Sequence, residues 1–242
     1  MAITRFKHLI ATALLTTLAG VSNATIIQIQ TTAGDIEVNL FDETTPVTVA
    51  NFLSYVTDSS YDDGFFHRLI PGFIVQSGGF YFTDPSDTGT VQSIVSKDSV
   101  VNEPIYSNVL GTIAMAKIAC QPNSATSEWF INITDNSAVL DSQNEGFTVF
   151  GQVISGMEFM DAIAASKATA TDFVAVNTIT ILDGAVDTVI QLDSTPVPNT
   201  LIADAGDTNA SCNPDSSGGG GATSGGFLVL MLSLLALGRR TK

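Results

Sequence analysis

Eight short runs rich in β-branched and aromatic residues, each closed off by Gly, Pro, Asn or Asp, are what most limits the folds open to this chain. They are Thr25–Gln30, Ile36–Phe41, Phe65–Leu69, Ile74–Ser77, Gly111–Ala116, Trp129–Ile133, Thr148–Val153 and Asn177–Leu182. Runs of this length are strands rather than helices, and the first two flank Thr31-Thr32-Ala33-Gly34-Asp35, a Gly-bearing connection that predicts an antiparallel hairpin. Only two stretches read as helix. Thr45 can cap and Pro46 suits the first turn of one that runs to about Thr57, with Val49, Phe52, Leu53 and Val56 as its apolar stripe. The other runs from about Gly156 to Ala165, with Met157, Met160 and Ile163 on one side. Eight strands and two helices predict an all-β-dominated domain: a closed eight-stranded antiparallel barrel whose ends the helices cap. From Thr25 to about Ile190 the chain is long enough for one well-buried core and too short for two.

Charge narrows the partners. Nine Lys and Arg stand against 24 Asp and Glu, a net −15, and five of the basic residues (Arg5, Lys7, Arg239, Arg240, Lys242) sit at the two ends. The body keeps only Arg68, Lys97, Lys117 and Lys167 against all 24 acids, a net of 4 − 24 = −20. Such a body repels phosphate backbones and anionic lipid headgroups, which excludes nucleic acid as a partner. Two Cys, and a single His (His67) outside the first apolar run, leave no material for a metal cluster or a His-based triad, so no metal or cofactor is expected.

The ends read as addresses. Arg5, Lys7 and His8 precede the apolar run Leu9 to Gly20, and Ser22-Asn23-Ala24 supplies small residues at a cleavage site, so residues 1–24 are expected to be a signal peptide. The domain then occupies 25–190. Residues 191–217 read as a polar linker, and 218–242 as a Gly-rich spacer, the apolar run Phe227 to Leu237 and the basic stop Gly238-Arg239-Arg240. This last layout resembles the glycine-glycine C-terminal sorting signal of Gram-negative bacteria, which implies cleavage by a rhomboid-type intramembrane protease. The alternative is a permanent single-span anchor. Either way the expected location is the periplasm or cell surface, tethered at least transiently to the inner membrane, with secretion as a further outcome.

The centre of the chain holds the most specific pattern. The stretch Phe65-Phe66-His67-Arg68-Leu69-Ile70-Pro71-Gly72-Phe73-Ile74-Val75-Gln76-Ser77-Gly78-Gly79-Phe80 is followed by Gly111-Thr112-Ile113-Ala114-Met115-Ala116. Then come Ser124-Ala125-Thr126-Ser127-Glu128-Trp129-Phe130-Ile131-Asn132, Val139-Leu140-Asp141 and Phe147-Thr148-Val149-Phe150-Gly151. Together these resemble the cyclophilins, peptidyl-prolyl cis-trans isomerases, over about Thr25 to Leu182. The resemblance implies the same capped eight-stranded barrel, a monomer, and Pro-containing unfolded or flexible polypeptides as substrates.

That chemistry asks little of a protein. Turning an X-Pro amide breaks its resonance against a barrier of about 20 kcal/mol, and at the twisted midpoint the nitrogen carries a localised lone pair. A fixed donor and an apolar cavity for the proline ring suffice to favour the twisted state, without nucleophile, metal or cofactor. By resemblance Arg68 is the catalytic donor, and its planar, permanently charged guanidinium suits the task. Phe73, Ile74, Phe130, Leu140 and Phe147 match the family's proline pocket. Gln76, Ala116 and Glu128 match its contacts to the peptide backbone. Taken alone, the Phe residues read equally as barrel core, and His67 as a packed histidine.

Some positions depart from the commonest family pattern. Glu128 stands where many members have Gln, and its charge is expected to alter peptide preference and to pair with Arg68 in the empty site. Val139 stands where drug-sensitive members have Trp, which predicts weak cyclosporin binding. Phe147 replaces a frequent His, Lys117 a frequent Asn and Ile74 a Met. The alternative from another class is a non-catalytic chaperone or adaptor that holds Pro-containing segments in the same cleft. Cys120 and Cys212 either pair, tying the tail to the barrel, or serve separately.

Overall fold

The computed structural model describes residues 24–83, 90–168, 172–182 and 196–201. The expected signal peptide, the C-terminal apolar run and Cys212 lie outside the described residues.

Among the described residues eleven strands form one antiparallel, strongly curled sheet: β1 (Ile26–Thr31), β2 (Asp35–Leu40), β3 (Gly64–Phe65), β4 (Arg68–Ile70), β5 (Ile74–Ser77), β6 (Phe80–Phe82), β7 (Val91–Ser93), β8 (Thr112–Met115), β9 (Trp129–Asn132), β10 (Val149–Ser155) and β11 (Ala175–Ile181). Their order is β4-β5-β9-β8-β10-β2-β1-β11-β3-β6-β7. The hairpin expected from the first two runs is present, Ile27 facing Val38 and Ile29 facing Ile36. All eight expected runs carry strand, and the higher count has two sources. The run Phe65–Leu69 is split into β3 and β4 because Phe66 N–H donates to Val174 O on one side (3.1 Å) and His67 N–H to Gln76 O on the other (3.0 Å). Strands β6 and β7 add a hairpin whose second arm, Val91-Gln92-Ser93, is exposed and gives no apolar alternation to read.

Helix α1 (Pro46–Thr57) matches its prediction in extent but not in its cap. The Thr45 hydroxyl turns back to Phe41 O (3.2 Å), and the free amides of the first turn are met by Glu103, whose carboxylate accepts from Val47 N–H (3.3 Å) and Thr48 N–H (2.8 Å). A carboxylate there also complements the positive end of the helix dipole. The expected second helix is a 3-10 turn (Met157–Phe159) leading into α3 (Met160–Ala165). It begins at Gly156, whose φ of +94° and close approach to Asp35 O exclude a side chain. The short α2 (Ser137–Leu140) was not foreseen; four residues are too few to show a helical period.

Strand alternation sorts the apolar residues into two clusters. Val75, Ile113, Met115, Trp129 and Ile131 point inward to join Ile27, Ile29, Val38, Phe52, Tyr61, Phe66 and Phe150 in the main core. Their neighbours Ile74, Ala114 and Phe130 point to the other face and build a second cluster with Phe41, Ala116, Leu140, Phe147 and Val149.

Candidate active site

The second cluster is the floor of a cleft. It is assembled by four adjacent strands in register, since Arg68 faces Gln76, Gln76 faces Phe130, and Phe130 faces Ala114. The β4–β5 hairpin turns at Pro71-Gly72, closed by Phe73 N–H to Ile70 O (3.0 Å), with Gly72 at φ +69°. This turn leaves Phe73 half-buried at the rim, packed against the cluster along with Ile70 and Tyr106. Opposite, Phe147 N–H donates to Leu140 O (3.0 Å), which brings α2 and the loop after it together, and the Phe147 ring meets Phe130 edge-on at 5.8 Å. Ala116 N–H donates to Glu128 O (2.9 Å), joining the ends of β8 and β9 above the floor.

A polar row crosses the rim. Arg68 Nη1 donates to Gln76 Oε1 (3.2 Å), and Gln76 Nε2 donates to Glu128 Oε2 (2.6 Å). The same carboxylate oxygen lies 3.2 Å from His67 Nε2, which as a donor must carry the proton there. Contrary to the expectation from the sequence, Glu128 does not pair with Arg68. Gln76 stands between them, its amide oxygen turned to the cation and its amide nitrogen to the anion, and a direct ion pair would leave that buried amide without partners. Burial lowers the Arg68 pKa from its usual value, and the nearby Glu128 charge opposes this. A guanidinium in that state remains a cation with several N–H groups free to face a ligand.

All nine residues named from the sequence thus lie in or around one cleft. Sequence reasoning did not assign Phe41, Ala114, Tyr106 and Val149 to its wall, and it named Lys117, which lies behind it, only as a departure from the family pattern. Ala114 was within reach, two places before Ala116 on the same strand face. Lys117 is buried, with Nζ donating to Asn144 O (2.8 Å) and Gly146 O (2.5 Å) and 4.8 Å from the Phe147 ring centroid. Burial lowers its pKa from 10.5 to about 7, against the pull of Glu145. Among the described residues no three His, Cys, Asp or Glu converge as metal ligands would.

The site is an apolar cleft with a cationic rim on a curled antiparallel sheet, and comparison with known proteins names the family. Residues 26–186 match the model of the cyclophilin type peptidyl-prolyl cis-trans isomerase/CLD family, and the chain belongs to it. The chain is 40% identical over 141 residues to a peptidyl-prolyl cis-trans isomerase of Acinetobacter baylyi, covering 58% of this chain and 72% of the relative. Peptidyl-prolyl cis-trans isomerase B of Escherichia coli is 38% identical over 144 residues, 57% of this chain and 83% of the relative. Among solved structures, a Cryptosporidium parvum cyclophilin crystallised in the presence of the dipeptide Ala-Pro superposes with a TM-score of 0.51 at 25% identity, covering 65% of this chain and 98% of that one. The protein is, by this homology, a peptidyl-prolyl cis-trans isomerase.

Proposed function

We propose that the cleft binds the proline of an X-Pro segment and that Arg68 drives its isomerisation. The observation that carries this reading is the placement of the Arg68 guanidinium, held by Gln76, at the edge of the apolar cluster. Phe73, Ile74, Phe130, Leu140 and Phe147 grip the ring, an apolar body that gains from leaving water. Gln76, Ala116 and Glu128 line the path of the peptide backbone. As the bond twists, the nitrogen lone pair localises and an Arg68 N–H donates to it, an interaction stronger in the transition state than in either planar isomer. No bond is made or broken, and no proton moves. Pro-containing peptides are the substrate class, in keeping with the Ala-Pro present with the Cryptosporidium relative.

The curled sheet functions as a closed barrel, with 64–70 as its seam. Support comes from the Phe66 and His67 amides, which bond to β11's side and to β5 respectively. The enzyme is a monomer, and Val139, 45% exposed at the mouth of α2, gives cyclosporin little to stack on, so binding of that drug is weak. The charge and hydropathy of the two ends support an exported enzyme, cut after residue 24 and held or displayed through residues 218–242, with folding envelope and secreted proteins as clients. Mass spectrometry of the mature protein tests the tail: loss of Phe227 to Lys242 supports a processed sorting signal, and an intact C-terminus makes it a permanent anchor.

The activity reading is tested by exchange NMR of an Ala-Pro peptide with catalytic amounts of the full chain. Faster cis-trans exchange with peptide-induced shifts at Phe73, Phe130 and Phe147 is expected. Shifts without faster exchange would make the protein a binding module, and neither would refute the cleft.

A further inference from the structure

Residues 196–201 lie beyond the sheet, in a stretch whose sequence reads as linker, yet they are bonded to the domain. Ser107 N–H donates to Val197 O (2.8 Å) and Asn199 N–H donates to Ile105 O (2.8 Å), which sets Pro198 opposite Tyr106 in an antiparallel bridge. The flanking residues supply both bonds, so Pro198 occupies the one kind of ladder position where a missing N–H costs nothing. Tyr106 is itself packed on the cleft cluster, its ring edge-on to Phe41 at 5.0 Å.

Behind this bridge runs a largely buried polar network that bonds to two of the cleft residues and adjoins a third. Asn199 Nδ2 donates to Asp141 O (3.0 Å), directly after Leu140. The buried Asp141 carboxylate accepts from the Ser107 hydroxyl (2.6 Å), Asn108 N–H (2.8 Å) and Asn108 Nδ2 (3.1 Å). Asn108 Nδ2 also reaches Phe147 O (3.2 Å), and Asn108 Oδ1 accepts from Asn132 Nδ2 (3.2 Å). Asn132 Oδ1 accepts from Asn136 Nδ2 (2.7 Å), whose other hydrogen goes to Phe73 O (2.9 Å). The Phe73 and Phe147 carbonyls therefore hang on one chain of hydrogen bonds, and its buried members Ser107, Asn108, Asn132, Asn136 and Asp141 have no water to turn to when a link is lost, while Asn199 joins the chain from its half-buried edge.

We infer that residues 196–201 are a clasp on the isomerase cleft, in which Asn199 acts as a positioning residue for the wall formed by Leu140 and Phe147. The inference rests on the cleft being the proline site. Asn199 touches no substrate; it fixes the Asp141 carbonyl and with it the turn from α2 into the loop before Phe147. Seating of residues 196–201 then sets how well the cleft fits a proline ring, and these residues are part of the enzyme.

The test uses the full chain, with Asn199→Ala, the isosteric Asn199→Asp that lacks the donor, and Asn199→Gln that restores one. KM and kcat for an Ala-Pro peptide, the Phe147 ring resonances and Tm are read together. One neutral hydrogen bond corresponds to a change of about two- to tenfold. Asn199→Ala and Asn199→Asp are expected to raise KM within that range, with kcat altered less than about twofold and the Phe147 resonances shifted, while Asn199→Gln recovers part of the loss. Unchanged KM and Phe147 resonances would overturn the clasp, even with a lowered Tm, because a merely structural tail would lower Tm alone. A loss in Asn199→Ala absent from Asn199→Asp would overturn the donor role. Arg68→Ala run alongside separates the two readings: full activity there refutes the proline site, whereas its loss beside an unaltered Asn199→Ala refutes only the clasp.

Discussion

The two apolar clusters are built from alternate residues of the same strands and serve different ends. Trp129 and Ile131 point into the main core and Phe130, between them, points to the cleft; Ile113 and Met115 flank Ala114 in the same way. The core is closed on all sides by its own side chains, with Phe52 against Tyr61 at 5.3 Å and Phe150 at 5.1 Å. The cleft cluster ends instead at Phe73 and Arg68, both half-buried, and along a row of polar groups. A cluster that stops at a rim has contact energy still to gain from a ligand, and the core has none.

The largest effect expected is on the core side. Phe52→Ala leaves a cavity under Trp129 and should cost about 3–5 kcal/mol of stability, read by urea unfolding. The rate per folded molecule should hold, and a parallel loss would blur the division. Phe73→Ala acts on the cleft side: unfolding free energy should move by under about 1 kcal/mol, while peptide binding weakens about tenfold, as for the loss of much of one aromatic contact. Glu128→Gln is milder. It replaces the charged acceptor of Gln76 with a neutral one, and titration with peptides that vary the residue before proline should show a changed order with rates within about threefold. Identical profiles would make the charge irrelevant.

Lys117 should disturb the cleft least. Its folded pKa of about 7 lies below the 10.5 of an exposed lysine. The unfolded chain therefore binds more protons between those values, and stability rises with pH from about 7 to about 10.5. Lys117→Met should flatten that rise relative to the parent. The neutral amine keeps two N–H groups for Asn144 O and Gly146 O, so kcat/KM should change less than about twofold across pH 7–9 in the parent. A steep fall would mean that the ammonium charge beside Phe147 matters to the cleft.

The strands were legible because each lies in a short run bounded by turn residues, and the cleft because Arg68, Phe73 and Gln76 fall within one unbroken motif. The strands that escaped are those without apolar alternation, such as Val91–Ser93, and the split of Phe65–Leu69 arises from partners on opposite sides, which no local pattern records. The Glu128 contact was misread for a similar reason. Opposite charges suggest a pair, but Gln76, cross-strand from Arg68, fills the space between them. The tail defeated composition outright, since Pro196-Val197-Pro198-Asn199 has the make-up of a linker and the bonding of a strand edge.

The most direct test of the account is the exchange rate of an Ala-Pro peptide with Arg68→Ala, measured beside the Tm of the same sample. The account predicts a rate lower by about 10²–10³-fold, as for removal of one preorganised donor, with Tm unchanged because the arginine anchors no core residue. A rate within about threefold of the parent, or a loss matched by unfolding, would contradict it.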